Sequence, residues 1–239
     1  MYGLSTRSAA GSGVVNETRA AQLSTAIKAD ILRGVHAPGT RLRLEDLRTR
    51  FEVSWSPLRE ALSGLVAAGL IVSDGGRAYR VAPIARSELA CVRDMRQMLE
   101  TKALKMSIAA GDDAWEVRLL TTHHALRKAE SEPWESRQLD AWEQVHRDFH
   151  LALIGACGST VLLQYCVGLY DVSDRYRRLF LAVHPRDRNI ADEHDTIFQA
   201  TLARDAVQAS ELLCAHVTRT LNCILDVMPA EEREAAAVS

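Results

Sequence analysis

Residues 42–71, LRLEDLRTRFEVSWSPLREALSGLVAAGLI, hold the pattern from which the rest of the chain can be read. Leu44 to Phe51 has the spacing of one short helix, and Glu52-Val53-Ser54-Trp55 interrupts it. A second helix is expected to open at Ser56-Pro57, because serine caps a helix start and proline is tolerated at the first helical position, where its missing N–H has no partner to lose. Leu58, Leu62, Leu65 and Val66 then form one apolar stripe, and Gly69 marks the end. Two short helices joined by a tight turn constitute a helix-turn-helix.

Upstream, Ala20, Leu23, Ile27 and Ile31 recur at helical spacing between Glu17 and Arg33, with Gly34 as a stop. The segment His36-Ala37-Pro38-Gly39-Thr40 has turn chemistry. Downstream, Leu70–Ser73 and Ala78–Val81 flank Asp74-Gly75-Gly76-Arg77, the pattern of a two-stranded hairpin. A hairpin directly after such a helix pair is a wing, and Arg77 at its tip is placed to meet a phosphate or a minor groove. A generic α+β subdomain is the alternative. Residues 16–83 are therefore expected to form a winged helix-turn-helix, behind a flexible, polar lead-in at 1–15 that lacks the apolar core of a secretory signal.

The candidate DNA surface follows from this placement. Arg59 lies in the first turn of the second helix, within reach of a phosphate or a guanine edge. Arg43 and Arg50 are expected at phosphates, and Arg48 is expected to be solvated. Ser54, Trp55 and Ser56, at the helix entry, complete the surface, while Glu60 is expected to pair within the domain.

Charge supports the division. Residues 1–86 carry 12 Lys+Arg against 7 Asp+Glu, and residues 87–239 carry 17 against 24, so a net of −2 hides a basic first third. No apolar run approaches the roughly 20 residues needed to span a bilayer. Cys91, Cys157, Cys166, Cys214 and Cys223 are an odd number with no C-x-x-C pair, which suits reduced thiols in the cytoplasm better than a disulfide framework.

From residue 87 to residue 229 no strand pattern is evident. Helices are expected at about 87–110, 112–130, 135–156, 159–183, 187–203 and 205–228, separated by Gly111, Glu132-Pro133, Gly158-Ser159, His184-Pro185 and Arg204-Asp205, with a flexible tail at 230–239. Connections this short imply antiparallel neighbours, hence an all-α bundle behind the α+β first domain, in a chain that is mostly α. His146 and His150 are four apart and share a helix face; His194 and His216 lie on two further helices. Four imidazoles on three helices are able to converge on a divalent metal; the alternative is histidines that are merely solvated or hydrogen-bonded, as expected for His36, His123, His124 and His184. An H-E-x-x-H protease motif is excluded, since residue 147 is Arg and no Glu lies between the pair.

Residues 42–71 resemble the helix-turn-helix of GntR-family transcription regulators, with the family's fixed places occupied by Leu47, Val53, Ser54, Pro57, Arg59, Glu60, Ala61, Leu62, Leu65, Gly69 and Leu70. The arginine that follows V-S in that pattern, a DNA contact in the family, is Trp55 here. The second half is similar to the FCD ligand-binding domain of the FadR subfamily, through MRQMLE, VHRDFHLALIGACGS, EHDTIFQATLARD and ASELLCAHV. That resemblance implies metal ligands at His150, His194 and His216, and puts His146 where many relatives have Asp. Zinc is the first expectation for the ion, with nickel and manganese as alternatives.

The same resemblance places Arg96 in the effector cavity, able to fork a carboxylate; Arg175, Tyr176 and Arg177 are further candidates, against a surface arginine or core tyrosine as the alternative. WEQVHRDFH, ACGSTVLLQ and DRYRRL resemble a group of glutarate-responsive repressors within the family, which implies a short dicarboxylate as effector. The expected protein is thus a homodimeric repressor without enzymatic activity. It would bind a palindromic double-stranded operator and release it when a small organic acid sits beside the metal. A metal-dependent hydrolase or lyase using the histidine cluster is the alternative; it would need a general base near the metal, for which Glu143 and Glu193 are available.

Overall fold

A computed structural model of the chain describes residues 18–75, 78–132, 138–180 and 190–228. Arg77, the lead-in at 1–15, the tail at 230–239 and the His184-Pro185 break lie outside the described residues.

The first core is built by α1 (Arg19–Leu32), β1 (Arg41–Leu42), α2 (Leu44–Phe51), α3 (Trp55–Ala67), β2 (Ile71–Asp74) and β3 (Ala78–Val81). Thr18 caps α1 by accepting the Ala21 N–H. Between α2 and α3 the chain reverses at Glu52, which takes a left-handed φ of 50° so that its N–H and that of Val53 close the end of α2. Helix α3 starts at Trp55 with Ser54 as its N-cap, two residues before the expected Ser56 cap and Pro57 start; Pro57 becomes the third helical residue, still among the positions whose N–H has no helical acceptor. At the other end Gly69, at φ 69°, gives a Schellman closure: Leu70 N–H donates to Leu65 O, and Gly69 N–H to Val66 O. The hairpin β2–β3 forms as expected, and β1, too short to show a periodicity, pairs with the far edge of β3 to give the antiparallel order β1-β3-β2. Leu23, Ile27, Ile31, Leu47, Leu58, Leu62, Leu65, Leu70 and Ile71 fill this core.

The second core is all helical: α4 (Arg86–Ala110), α5 (Asp113–Glu130), α6 (Leu139–Ile154), α7 (Thr160–Phe180), α8 (Ile190–Leu202) and α9 (Ala206–Val227). Asp112 caps α5 through the Trp115 N–H and Asp205 caps α9 through the Gln208 N–H, so the expected breaks are built by side chains that terminate and restart helices. Leu89, Leu104, Leu119, Phe149, Leu153, Ile197, Leu213 and Leu221 lie at its centre. All five cysteines are free.

The two cores meet along α7. Arg175 is buried and donates to Ala82 O (3.1 Å) and Pro83 O (2.8 Å); Tyr176 Oη accepts from Ala85 N–H (3.0 Å) and bonds Glu88. Lys28 of α1 pairs with Asp171 at 2.6 Å, Arg33 pairs with Asp140 at 3.2 Å, and Val172 lies 3.7 Å from where a Cβ on Gly69 would stand.

Candidate metal centre and nucleic-acid interface

The amino end of α3 stands out from the first core. Ser54, Trp55, Ser56 and Arg59 are exposed, as is Arg43, while Leu58 and Leu62, three and seven residues after Trp55, are fully buried. Arg48 is not simply solvated: its Nε donates to Glu45 at 2.9 Å and its guanidinium lies over the Trp55 ring, 5.4 Å from the centroid. Arg50 pairs with the buried Asp30 at 2.8 Å and leans on Phe51, leaving about half of its side chain in solvent.

In the helical domain, α6 directs His146 and His150 inward, α8 supplies His194 and α9 supplies His216. All four are buried, and one ring nitrogen from each lies within 4.8 Å of the others. Two carboxylates orient the set: Glu130 binds His194 Nδ1 at 2.7 Å, and Glu193 binds His216 Nδ1 at 2.8 Å. With Nδ1 engaged, each of these rings turns Nε2 toward the cluster, the arrangement by which second-sphere carboxylates fix metal-binding imidazoles. His146 Nδ1, His194 Nε2 and both nitrogens of His150 are buried with no hydrogen-bond partner.

Burial, then the positive charge of Arg177 and the neighbouring rings, holds the His146 imidazole well below its usual range; burial and the neighbouring rings do the same for His150. Both are neutral, with lone pairs available. Orphaned nitrogens on neutral, converging imidazoles fit a divalent transition ion, since an unpaired buried polar atom costs roughly 1–3 kcal/mol.

Around the histidines the charges are already paired. Arg96 forks Glu100 (2.5 and 3.2 Å), donates to Ser173 Oγ at 3.0 Å and lies 4.2 Å from the Tyr170 ring centroid. Arg177 forks Glu143 (2.8 and 2.5 Å) and reaches Asp174 at 2.9 Å. Tyr170 packs beside His150, its ring centroid at 5.6 Å, and its hydroxyl is buried without a partner.

The family model described as "Bacterial regulatory proteins, gntR family" matches residues 19–81, and that of the FCD domain matches residues 91–219. The repressor GlaR of Escherichia coli K12 is 38% identical over 208 residues, covering 84% of this chain and 94% of that protein. The chain belongs to the GntR family. An uncharacterized regulator, BphR of Paraburkholderia xenovorans LB400, is also 38% identical, over 201 residues, covering 83% of this regulator and 82% of BphR. Among solved structures, E. coli McbR/YncC superposes with a TM-score of 0.73 at 18% identity, covering 87% of this regulator and 97% of that chain, which supports the fold alone. The family and its named members are DNA-binding transcription regulators, not enzymes, which decides against the hydrolase or lyase alternative.

Within the regulator, the four expected ligand histidines meet in one place, and Arg96 and Arg177 border them. Arg175 and Tyr176, expected at the effector, are committed to the 82–88 segment between the cores; both follow Asp174 on the side of α7 that faces the linker, so this expectation is corrected. Sequence reasoning missed Tyr170, Glu130 and the role of Glu193. Tyr170 was legible in principle, since Tyr170, Ser173 and Arg177 share one helical face at i, i+3, i+7. Glu130 sits 64 residues from its histidine partner and carries no local signal.

Proposed function

We propose that the regulator is a cytoplasmic, homodimeric repressor whose grip on a palindromic operator is loosened by a short dicarboxylate bound beside a metal ion, with zinc ahead of nickel and manganese. The reading divides the chain into a DNA-binding domain at 16–83 and an effector domain at 87–229. Repression is supported by the name of GlaR, the cytoplasmic location by the kind of protein the family comprises, and the absence, among the described residues, of a helix able to cross a membrane is consistent with it. The observation that carries the sensing half is the convergence of four buried imidazoles with unpartnered nitrogens.

His146, His150, His194 and His216 would hold the ion. When bound, a divalent ion supplies positive charge and open coordination positions to a carboxylate. Four neutral ligands leave that charge undiminished, whereas an Asp at 146 would remove one unit. Tyr170 Oη, buried and unpartnered, is the donor we assign to the effector, with Arg96 and Arg177 setting a positive border. Because both guanidiniums are already matched to Glu100 and Glu143, an entering dicarboxylate competes for them rather than meeting free cations.

That competition gives a route to the DNA-binding domain. Tyr170, Ser173 and Arg177 form the effector face of α7, and Asp171, Arg175 and Arg178 form its domain-facing side. Asp174 joins the two by accepting from Arg177 (2.9 Å) and Arg178 (3.2 Å); Arg178 reaches Asp140, which also binds Arg33, the C-cap of α1. An acid that draws on Arg177 therefore changes what Asp174 offers to Arg178 and, through Asp140, to α1. Effector binding can shift domain arrangement only by favouring one pairing pattern over another. The test is a mobility shift on the regulator's own upstream region, with metal analysis of the purified protein. Specific, salt-sensitive binding that glutarate or a related C4–C6 dicarboxylate weakens is expected, and binding indifferent to every such acid would overturn the sensing half.

A further inference from the structure

Trp55 occupies the first position of α3, the helix that enters the major groove in a helix-turn-helix, and its side chain is 40% exposed. An exposed indole at a DNA-reading position is unusual chemistry. The ring carries no charge and offers a phosphate only its indole N–H, and the flanking Ser54 and Ser56 carry no charge either. The ring is also held in place. Arg48 lies over it at 5.4 Å, and Arg48 is itself fastened by its Nε to Glu45 at 2.9 Å. Glu45 and Arg48 belong to α2, so the Glu45–Arg48–Trp55 stack ties the entry of one helix to the body of the other.

Cation–π contact of this kind orders an aromatic side chain that would otherwise sample several rotamers. The apolar surface left in solvent gains nothing from phosphates. Among the groups displayed on the major-groove floor, the thymine 5-methyl is the apolar one.

We propose that Trp55 reads a thymine in each operator half-site through its 5-methyl group, and that Arg48 is the positioning residue that sets the indole against it. The inference rests on the DNA-binding reading but has its own point of failure. Burying one methyl contributes about fourfold in affinity, so two half-sites contribute roughly fifteenfold.

The experiment uses the full-length regulator and duplexes it selects from a random pool, each selected thymine then being replaced singly by deoxyuridine, which lacks only the methyl. For the wild-type protein, one thymine per half-site is expected to show about a fourfold loss on replacement. Trp55→Ala, a surface change whose folding is checked by its unfolding temperature, is expected to bind the thymine and uracil duplexes alike. Arg48→Gln, which keeps a long polar side chain but removes the cation, is expected to shrink the uracil effect while Arg59 contacts persist. Trp55→Arg is expected to change the selected base at that position to guanine, since arginine forks guanine O6 and N7. Enrichment of a defined site with no uracil-sensitive thymine overturns the proposal, and so does a uracil effect that survives in Trp55→Ala. Failure to enrich any site would instead overturn the DNA-binding reading beneath it.

Discussion

Removing the metal should loosen the helical domain by an amount the structure lets one work out. His146 Nδ1, His194 Nε2 and both nitrogens of His150 are buried and unpartnered without an ion, and each such atom costs roughly 1–3 kcal/mol if water does not reach it. An ion that binds the folded chain and not the unfolded one stabilises it by about 2.7 kcal/mol at a hundredfold excess over its dissociation constant. For a chain of this length each kcal/mol moves the midpoint by about 2–4 °C, so loading should raise Tm by roughly 5–11 °C. The assay is calorimetric or fluorescence-monitored unfolding of chelator-stripped protein, titrated separately with zinc, nickel and manganese. His194→Ala, which also removes the imidazole that Glu130 holds, should abolish most of the shift. If none of the three ions moves Tm by more than about 1 °C, or if the shift survives in a His150→Ala/His194→Ala double variant, the four-histidine site is not a metal site.

Glu130→Gln should keep the fold but lower metal affinity by about 10–100-fold, read by competition with a chromophoric chelator, because His194 loses the carboxylate that fixes its ring. Tyr170→Phe removes a buried hydroxyl with no partner, so the effector-free protein should be as stable as wild type or more so. Dicarboxylate affinity in a calorimetric titration should fall by about 10–150-fold, the worth of one hydrogen bond to a charged acceptor. Lys28→Met and Asp171→Asn should each alter the effector's influence on operator affinity, and a double-mutant cycle should show them to be coupled, since their pair joins α1 to α7 at 2.6 Å. At high pH, burial pushes the Tyr176 phenol up to about 12 from an ordinary value of about 10. Its folded-state pKa is raised, so its stabilising contribution is complete below pH 10 and lost as pH climbs toward 12, at about 1.4 kcal/mol per pH unit. Tyr176→Phe should flatten that alkaline decline in thermal unfolding.

What the sequence made legible depended on how local the information was. The pair α2 and α3, their stops, the hairpin and the six long helices follow from periodicity, glycine and capping residues that act within a few positions. Ser56 is as good a cap as Ser54 by residue type, but the left-handed turn at Glu52 places the start of α3 two residues earlier. The short β1 escaped because two residues carry no period. His146 and His150 were legible as a pair through their spacing, whereas the convergence of His194 and His216 on them is a tertiary fact. Arg175 and Tyr176 were misplaced because adjacent helical residues point some 100° apart; Arg177 faces the histidines while its two predecessors face the linker. Tyr170 shares a helical face with Ser173 and Arg177, whereas Glu130 carries no local signal and gets its role from packing alone.

The most direct test of the sensing scheme is operator affinity measured by fluorescence anisotropy on one selected duplex, in four conditions: stripped or metal-loaded protein, with or without glutarate. Dicarboxylate should weaken the metal-loaded protein by about tenfold, within the usual range of allosteric coupling, and leave stripped protein and His194→Ala unaffected. Equal affinities in all four conditions, or an acid effect that does not need the histidines, would contradict it.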